Sequence, residues 1–124
     1  MSVDVLNCAA SFGTVKTNED RISFINDLGY DVEPESISNK DIIIPSEFSD
    51  VFNNYNKLQQ KAGFDLKRFK GVRARLFSYK VTAQNSQTEY NVNLIICENT
   101  VIGGDISSVA LDGQMYPLIK QGKL

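Results

Sequence analysis

The residues of this 124-residue chain that could do chemistry gather in two places. The first is Asp105, Ser107, Ser108 and Asp112, just after a Gly103-Gly104 pair where a ligand can approach backbone amides without meeting a side chain. Carboxylates at Asp105 and Asp112 would suit a hard cation, and with it a small metal-assisted hydrolase. The same Gly-Gly-Asp serves equally to shape a strand in which Asp105 satisfies local amides, and it lacks the lysine and the spacing of a phosphate-cradling loop. The second place is the basic patch 67–80: Lys67, Arg68, Lys70, Arg73, Arg75 and Lys80, interleaved with Phe69, Phe77 and Tyr79. Cations alternating with rings fit an anionic cell-wall polymer, an acidic protein or single-stranded nucleic acid. The plainer account makes Arg73 and Arg75 the wet face of a half-buried strand, with Phe77 and Tyr79 in its core.

Other chemistries are closed by composition. With no histidine, the His-dependent triads, the His zinc sites and the usual neutral-pH proton shuttle all drop out. Two cysteines, Cys8 and Cys97, are too few for a thiolate zinc site and too far apart in sequence for a Cys-x-x-Cys redox pair. Cys97 reads as a small buried hydrophobe at a strand end and Cys8 as a weakly ordered residue; the two form a disulfide only if the chain is exported. No residue pattern calls for a cofactor, a metal or a catalytic group, so the leading function is a non-catalytic binding or interaction module. Its docking site is expected at Arg73, Arg75, Phe77 and Tyr79 on an open face or edge, with Gly103, Gly104 and Asp105 beside them. The partner would be a protein or a cell-surface polymer; a formal net charge of -2 and a pI near 5.1 disfavour nucleic acid.

The charge is uneven. Nine acidic residues lie between Asn18 and Asp50 against Arg21 and Lys40, whereas Lys57 to Lys80 holds eight basic residues against Asp65 alone. With 42% apolar and 23% charged residues the chain can bury a sizeable core. No stretch approaches the ~20 apolar residues that span a bilayer, and no secretory-type leader is visible, so the chain as written reads as soluble.

The elements that must position these residues follow from periodicity. Residues 1–16 are a poorly patterned arm, and 17–124 read as one α+β domain. Thr17 offers an N-cap with Asp20 three residues on, Ile22, Phe24, Ile25 and Leu28 follow at helical spacing, and Gly29 stops the helix. Ser38 to Asp41 reads as a turn and Ile42 to Ile44 as a short buried strand ended by Pro45. Ser46 is expected to cap a second helix that buries Phe48, Val51, Phe52, Tyr55, Leu58 and Ala62 and exposes Asn53, Asn54, Asn56, Lys57, Gln60 and Lys61 before Gly63. Asp65 caps one short turn through Phe69.

A strand follows from Val72 to Ala83, whose apolar residues change phase between Leu76 and Phe77 and so predict a bulge there. Tyr90 to Ser108 is the strongest pattern: a hairpin whose turn holds Asn99 and whose return arm bulges, or passes close to another backbone, at Gly103-Gly104. Met115, Tyr116, Leu118 and Ile119 pack back on the sheet. The architecture is then α+β, with a central antiparallel meander covered on one face by two amphipathic helices.

Several segments taken together resemble the DUF4830 family of bacterial domains. They are Thr17 to Val32, Ile44-Pro45 with Phe48, Tyr55 to Gln59, Gly63 to Leu66, Phe69 to Gly71, and Val101 to Ser108 followed by Leu111-Asp112-Gly113. The resemblance implies a small domain with no assigned activity, found mostly in Firmicutes and often following a membrane anchor, hence extracytoplasmic or membrane-tethered. It carries no catalytic residue with it.

Overall fold

The computed structural model describes residues 14–82, 89–109 and 114–119. Helix α1 (Asn18–Asp27) starts where expected: Thr17 Oγ1 accepts from Asp20 N at 3.1 Å, and the Asp20 carboxylate takes the amides of Thr17 and Lys16, closing a capping box. Gly29, at φ 96, ends it. Helix α2 (Asp50–Lys61) is capped by Ser49 rather than Ser46, with Ser49 Oγ accepting from Phe52 N. That start leaves Val51 in the first turn and 80% exposed, so its expected burial is corrected. A single 3-10 turn, Leu66–Phe69, follows with Asp65 as its cap.

Five strands form one antiparallel sheet in the order β1-β2-β3-β4-β5: β1 (Ser38–Ile43), β2 (Arg73–Lys80), β3 (Tyr90–Cys97), β4 (Thr100–Ser108) and β5 (Met115–Pro117). The class and the central meander agree with the sequence reading. The β3–β4 hairpin closes on Glu98 and Asn99, both at positive φ (52 and 65), the pairing that matches a tight turn to the twist of the strands. The tail returns as β5 beside β4 and buries Leu118. Ser38 to Asp41 is not a turn. These residues pair with Leu76 to Ser78 and Arg75 as part of β1, because ladder hydrogen bonds along β2 outweigh the local turn preference of Ser-Asn.

Both faces of the sheet are covered. Ile22, Phe24 and Ile25 of α1, with its C-cap Leu28, pack on Tyr79, Val92, Leu94 and Ile106, while Phe48 and the α2 residues Phe52 and Tyr55 pack on Ala74, Leu76, Ile95 and Ile102. Even and odd residues of β3 point to opposite sides, so the helices lie on opposite faces and the expectation of a shared face is corrected. The physical reason is that β3 is apolar on both sides: Val92, Leu94 and Ile96 on one, Ile95 and Cys97 on the other, and each side needs a cover.

The same sandwich explains the phase change in β2. Its register runs unbroken past Leu76-Phe77, so no bulge is there. Ala74 and Leu76 face α2, and Phe77 and Tyr79 face α1; the strand passes from one core to the other.

The register shift lies in the hairpin instead, where Ile95 pairs with Gly103 but Ile96 with Val101. A Cβ on Gly104 would overlap the Asn93 carbonyl oxygen and come within 2.9 Å of Leu118 Cδ2, so only glycine allows this approach. Gly104→Ala should therefore destabilise the fold by about 3 kcal/mol, at the upper end of overpacking costs. Denaturant unfolding reads this, and a change within experimental error would show that the strands relax around the methyl group.

Candidate functional site

Two constellations are built on this frame. The first lies between α2 and the sheet. Asp105, in the middle of β4, is 2% exposed and has both carboxylate oxygens occupied: Tyr55 Oη donates to Oδ2 at 2.8 Å and Asn93 Nδ2 to Oδ1 at 2.7 Å. Asn93 also reaches Ser107 Oγ at 3.0 Å and accepts from Ser78 Oγ at 2.6 Å, which carries the network across β2, β3 and β4. Gln59, fully buried, accepts from Gly104 N at 2.9 Å. Its Nε2 has no partner of good geometry, although it faces the Tyr55 hydroxyl.

Burial pushes the Asp105 pKa above the ordinary carboxylate value, against the opposing pull of the Asn93 and Tyr55 hydrogen bonds. Burial and the neighbouring Asp105 likewise raise that of the Tyr55 phenol. An acid with both oxygens taken and covered by a helix holds structure; it does not offer itself to a ligand.

The second constellation is on the α1 face. Arg73, Arg75, Phe77 and Tyr79 alternate along β2 and share that face. Tyr79 is 0% exposed, its hydroxyl donating to Asn18 Oδ1 at 2.6 Å and accepting from Arg21 Nε at 2.8 Å. Arg21 lies over the Phe77 ring, 3.9 Å from its centroid, and Arg75 approaches the same ring at 5.9 Å. Arg75 also bonds Asn39 Oδ1 at 2.6 Å and pairs with Asp41 at 3.6 Å, both on β1. Phe77 is half-buried and Arg73 and Arg75 are exposed.

The expected site is thus divided. Arg73, Arg75 and Phe77 stay together and gain Arg21. Tyr79 is a buried support and not an anchor. β2 has β1 on one side and β3 on the other, so no strand can be added to it. Gly103 faces α2, Gly104 the opposite side, and Asp105 lies in the core. Asp112 lies outside the described residues, and the described residues hold no group of three or more His, Cys, Asp or Glu placed to bind a metal. The basic stretch also disperses: Lys70 sits over Phe48 and Lys80 pairs with Glu89 at 3.6 Å.

Sequence reasoning missed Arg21, Asn56 and Gln59. Arg21 shares the stripe of Ile25 and Leu28 at spacings of four and seven, and Asn56 and Gln59 share that of Phe52; polar residues on an apolar stripe were the available signal. Asn56, expected on the wet side, is 2% exposed.

The model of the family described as "Domain of unknown function (DUF4830)" matches residues 24–106. The chain belongs to the DUF4830 family. No curated protein and no solved structure matches it. The matched span of this DUF4830 domain contains Tyr55, Gln59, Asn93, Asp105 and the β2 arginines, and begins after Arg21.

Because the folded-state pKa of Asp105 is raised, the fold holds that proton more tightly than the unfolded chain does. The stability this supplies is full below the unfolded value of 3.8 and is lost as pH rises through the folded value. Asp105→Asn should remove that loss, so the variant gains on wild type between acid and neutral pH. Carbon-detected titration of the Asp105 carboxyl should give a pKa above 3.8; a value at or below it would mean that the hydrogen bonds outweigh burial.

Proposed function

We propose that this DUF4830 domain is a non-catalytic binding module that meets an anionic cell-surface polymer through Arg21, Arg73, Arg75 and Phe77, outside the cytoplasm of a Gram-positive bacterium. The observation that carries the reading is the fixed guanidinium of Arg21. Stacked on Phe77 and tied through Nε to a fully buried tyrosine, it has lost its side-chain freedom before any partner arrives. Its remaining N–H groups lie over a half-exposed ring that Arg75 also approaches, and Arg73 follows two positions further along the same strand face, a combination enriched where surfaces bind. Phosphate or carboxylate groups spaced along a polymer match such a row of guanidiniums. The Arg75–Asp41 pair is a small deterrent, since an ion pair this exposed stabilises by well under about 1 kcal/mol.

A titration with poly(glycerol phosphate), a defined polymer of this kind, tests the reading. Affinity should fall steeply as salt rises, and Arg73→Gln with Arg75→Gln should lower it by about tenfold or more, given charge-assisted contacts of this type. Binding that ignores salt or both substitutions would remove the site. Binding of an acidic protein in its place would keep the surface and change the partner.

The compartment rests on Cys97, which is disulfide-bonded and not the free thiol of the simpler expectation. Disulfides of this kind persist where the surroundings are oxidising. The sequence holds one other cysteine, Cys8, which lies outside the described residues. Thiol titration of the unreduced, denatured protein should find no free thiol, and Cys97→Ser should cost about 2–4 kcal/mol of stability. A full complement of reactive thiols in protein isolated from its native source would refute the extracytoplasmic assignment. Among the described residues no helix is long and apolar enough to cross a membrane.

A further inference from the structure

The far side of α2 carries a feature that the arginine surface does not explain. A cleft of about 530 Å³ lies between α2 and the 3-10 turn Leu66–Phe69, lined by Asp50, Asn53, Asn54, Asn56, Lys57, Gln60 and Lys67. Its volume falls within the roughly 300–1,000 Å³ of sites that take small molecules, but its lining is the reverse of the usual apolar one. Every lining residue is polar and four are primary amides.

An exposed helix face rich in Asn and Gln is ordinarily just solvated; two observations separate this one from that case. Its walls are fixed to each other, because the buried Asn56 accepts from Leu66 N at 2.7 Å and donates to Asp65 Oδ1 at 3.0 Å, while the same Asp65 oxygen accepts from Lys67 N at 3.1 Å. The second is that the side chains of Asn53, Asn54, Lys57, Gln60 and Lys67 make no hydrogen bond or ion pair within the described protein. Five polar groups therefore converge on a concave space without a partner among the described residues.

We propose that this cleft is a binding site for a short saccharide bearing an acidic group. Each primary amide both donates and accepts, which is what a sugar hydroxyl requires of its partner, and adjacent amides match adjacent hydroxyls. Lys57 on the helix and Lys67 on the 3-10 turn supply cations from facing walls for a carboxylate or phosphate. Asp50, seven residues before Lys57 and so about 10 Å away along the helix, is left at the other end to accept from a hydroxyl. The site is independent of the arginine surface, which lies on the opposite side of the sheet.

Side-chain amide resonances of the ¹⁵N-labelled protein read this directly, with trigalacturonate, maltotriose and inorganic phosphate as probes. Trigalacturonate should move the Asn53, Asn54 and Gln60 amide signals saturably, maltotriose should bind more weakly, and phosphate alone should leave the amides in place. Lys57→Gln with Lys67→Gln should weaken trigalacturonate by about tenfold, the size of a lost hydrogen bond to a charged group. Asn53→Ala with Asn54→Ala should weaken it comparably and leave the melting temperature unchanged, whereas Arg73→Gln with Arg75→Gln should leave the affinity as it is. Unmoved amides, equal binding of maltotriose, or retention of affinity in both cleft variants would overturn the assignment. Amide shifts induced by phosphate alone would reduce the site to an anion site and overturn the saccharide.

Discussion

The amide of Gly104 is the constraint on which the α2 side of the molecule depends. The register shift between Ile95 and Ile96 interrupts the β3–β4 ladder beside it, and a backbone N–H in a dry interior cannot be left without an acceptor. Gln59 supplies that acceptor, which requires an amide side chain to be fully buried beneath a helix that packs on β4 and β5. Glycine at 104 is required on the other side as well, where the Asn93 carbonyl and Leu118 close in. One bulge thus sets the placement of α2, the burial of a glutamine and the approach of the C-terminal segment.

Asp105 extends the same logic. A buried carboxylate costs desolvation, and an apolar residue of similar volume in its place is often neutral or stabilising in proteins. Its effect here is directional: one oxygen fixes the Tyr55 ring on the helix and the other fixes Asn93 on the neighbouring strand. With Ser78 and Ser107 completing Asn93, three strands and a helix are tied at defined points, where apolar packing alone would let the helix slide.

Local rules were enough for the termini of α1, the hairpin with its turn at Asn99, the glycine stops and the return of the tail, because each is decided by a cap, a left-handed residue or a period within a few positions. What local rules could not reach was pairing between distant segments. Ser38 to Asp41 looks like a turn until β2 is beside it, and a strand that changes phase at Leu76-Phe77 is read as bulged unless both its faces are known to be covered. The candidate site shows the same division. Arginines and rings on β2 were legible as a group, but Arg21 arrives from a helix distant in sequence, and the depth of Tyr79 depends on that helix being on its face.

The buried polar residues also decide what the surface presents. On a helix at 100° per residue, holding Tyr55, Asn56 and Gln59 inward turns Asn53, Lys57 and Gln60 outward and leaves Asp50 and Asn54 on the same outer side. A helix held only by Phe52 and Leu58 could rotate by a fraction of a turn at small cost, since apolar contacts have little directionality. Three hydrogen-bonded anchors, two on one turn and the third on the next, forbid that rotation. The amide-lined cleft on one side of α2 and the polar network on its other side are therefore two consequences of one orientation, and the interior bonds supply the rigidity that the exterior site would need to select a ligand.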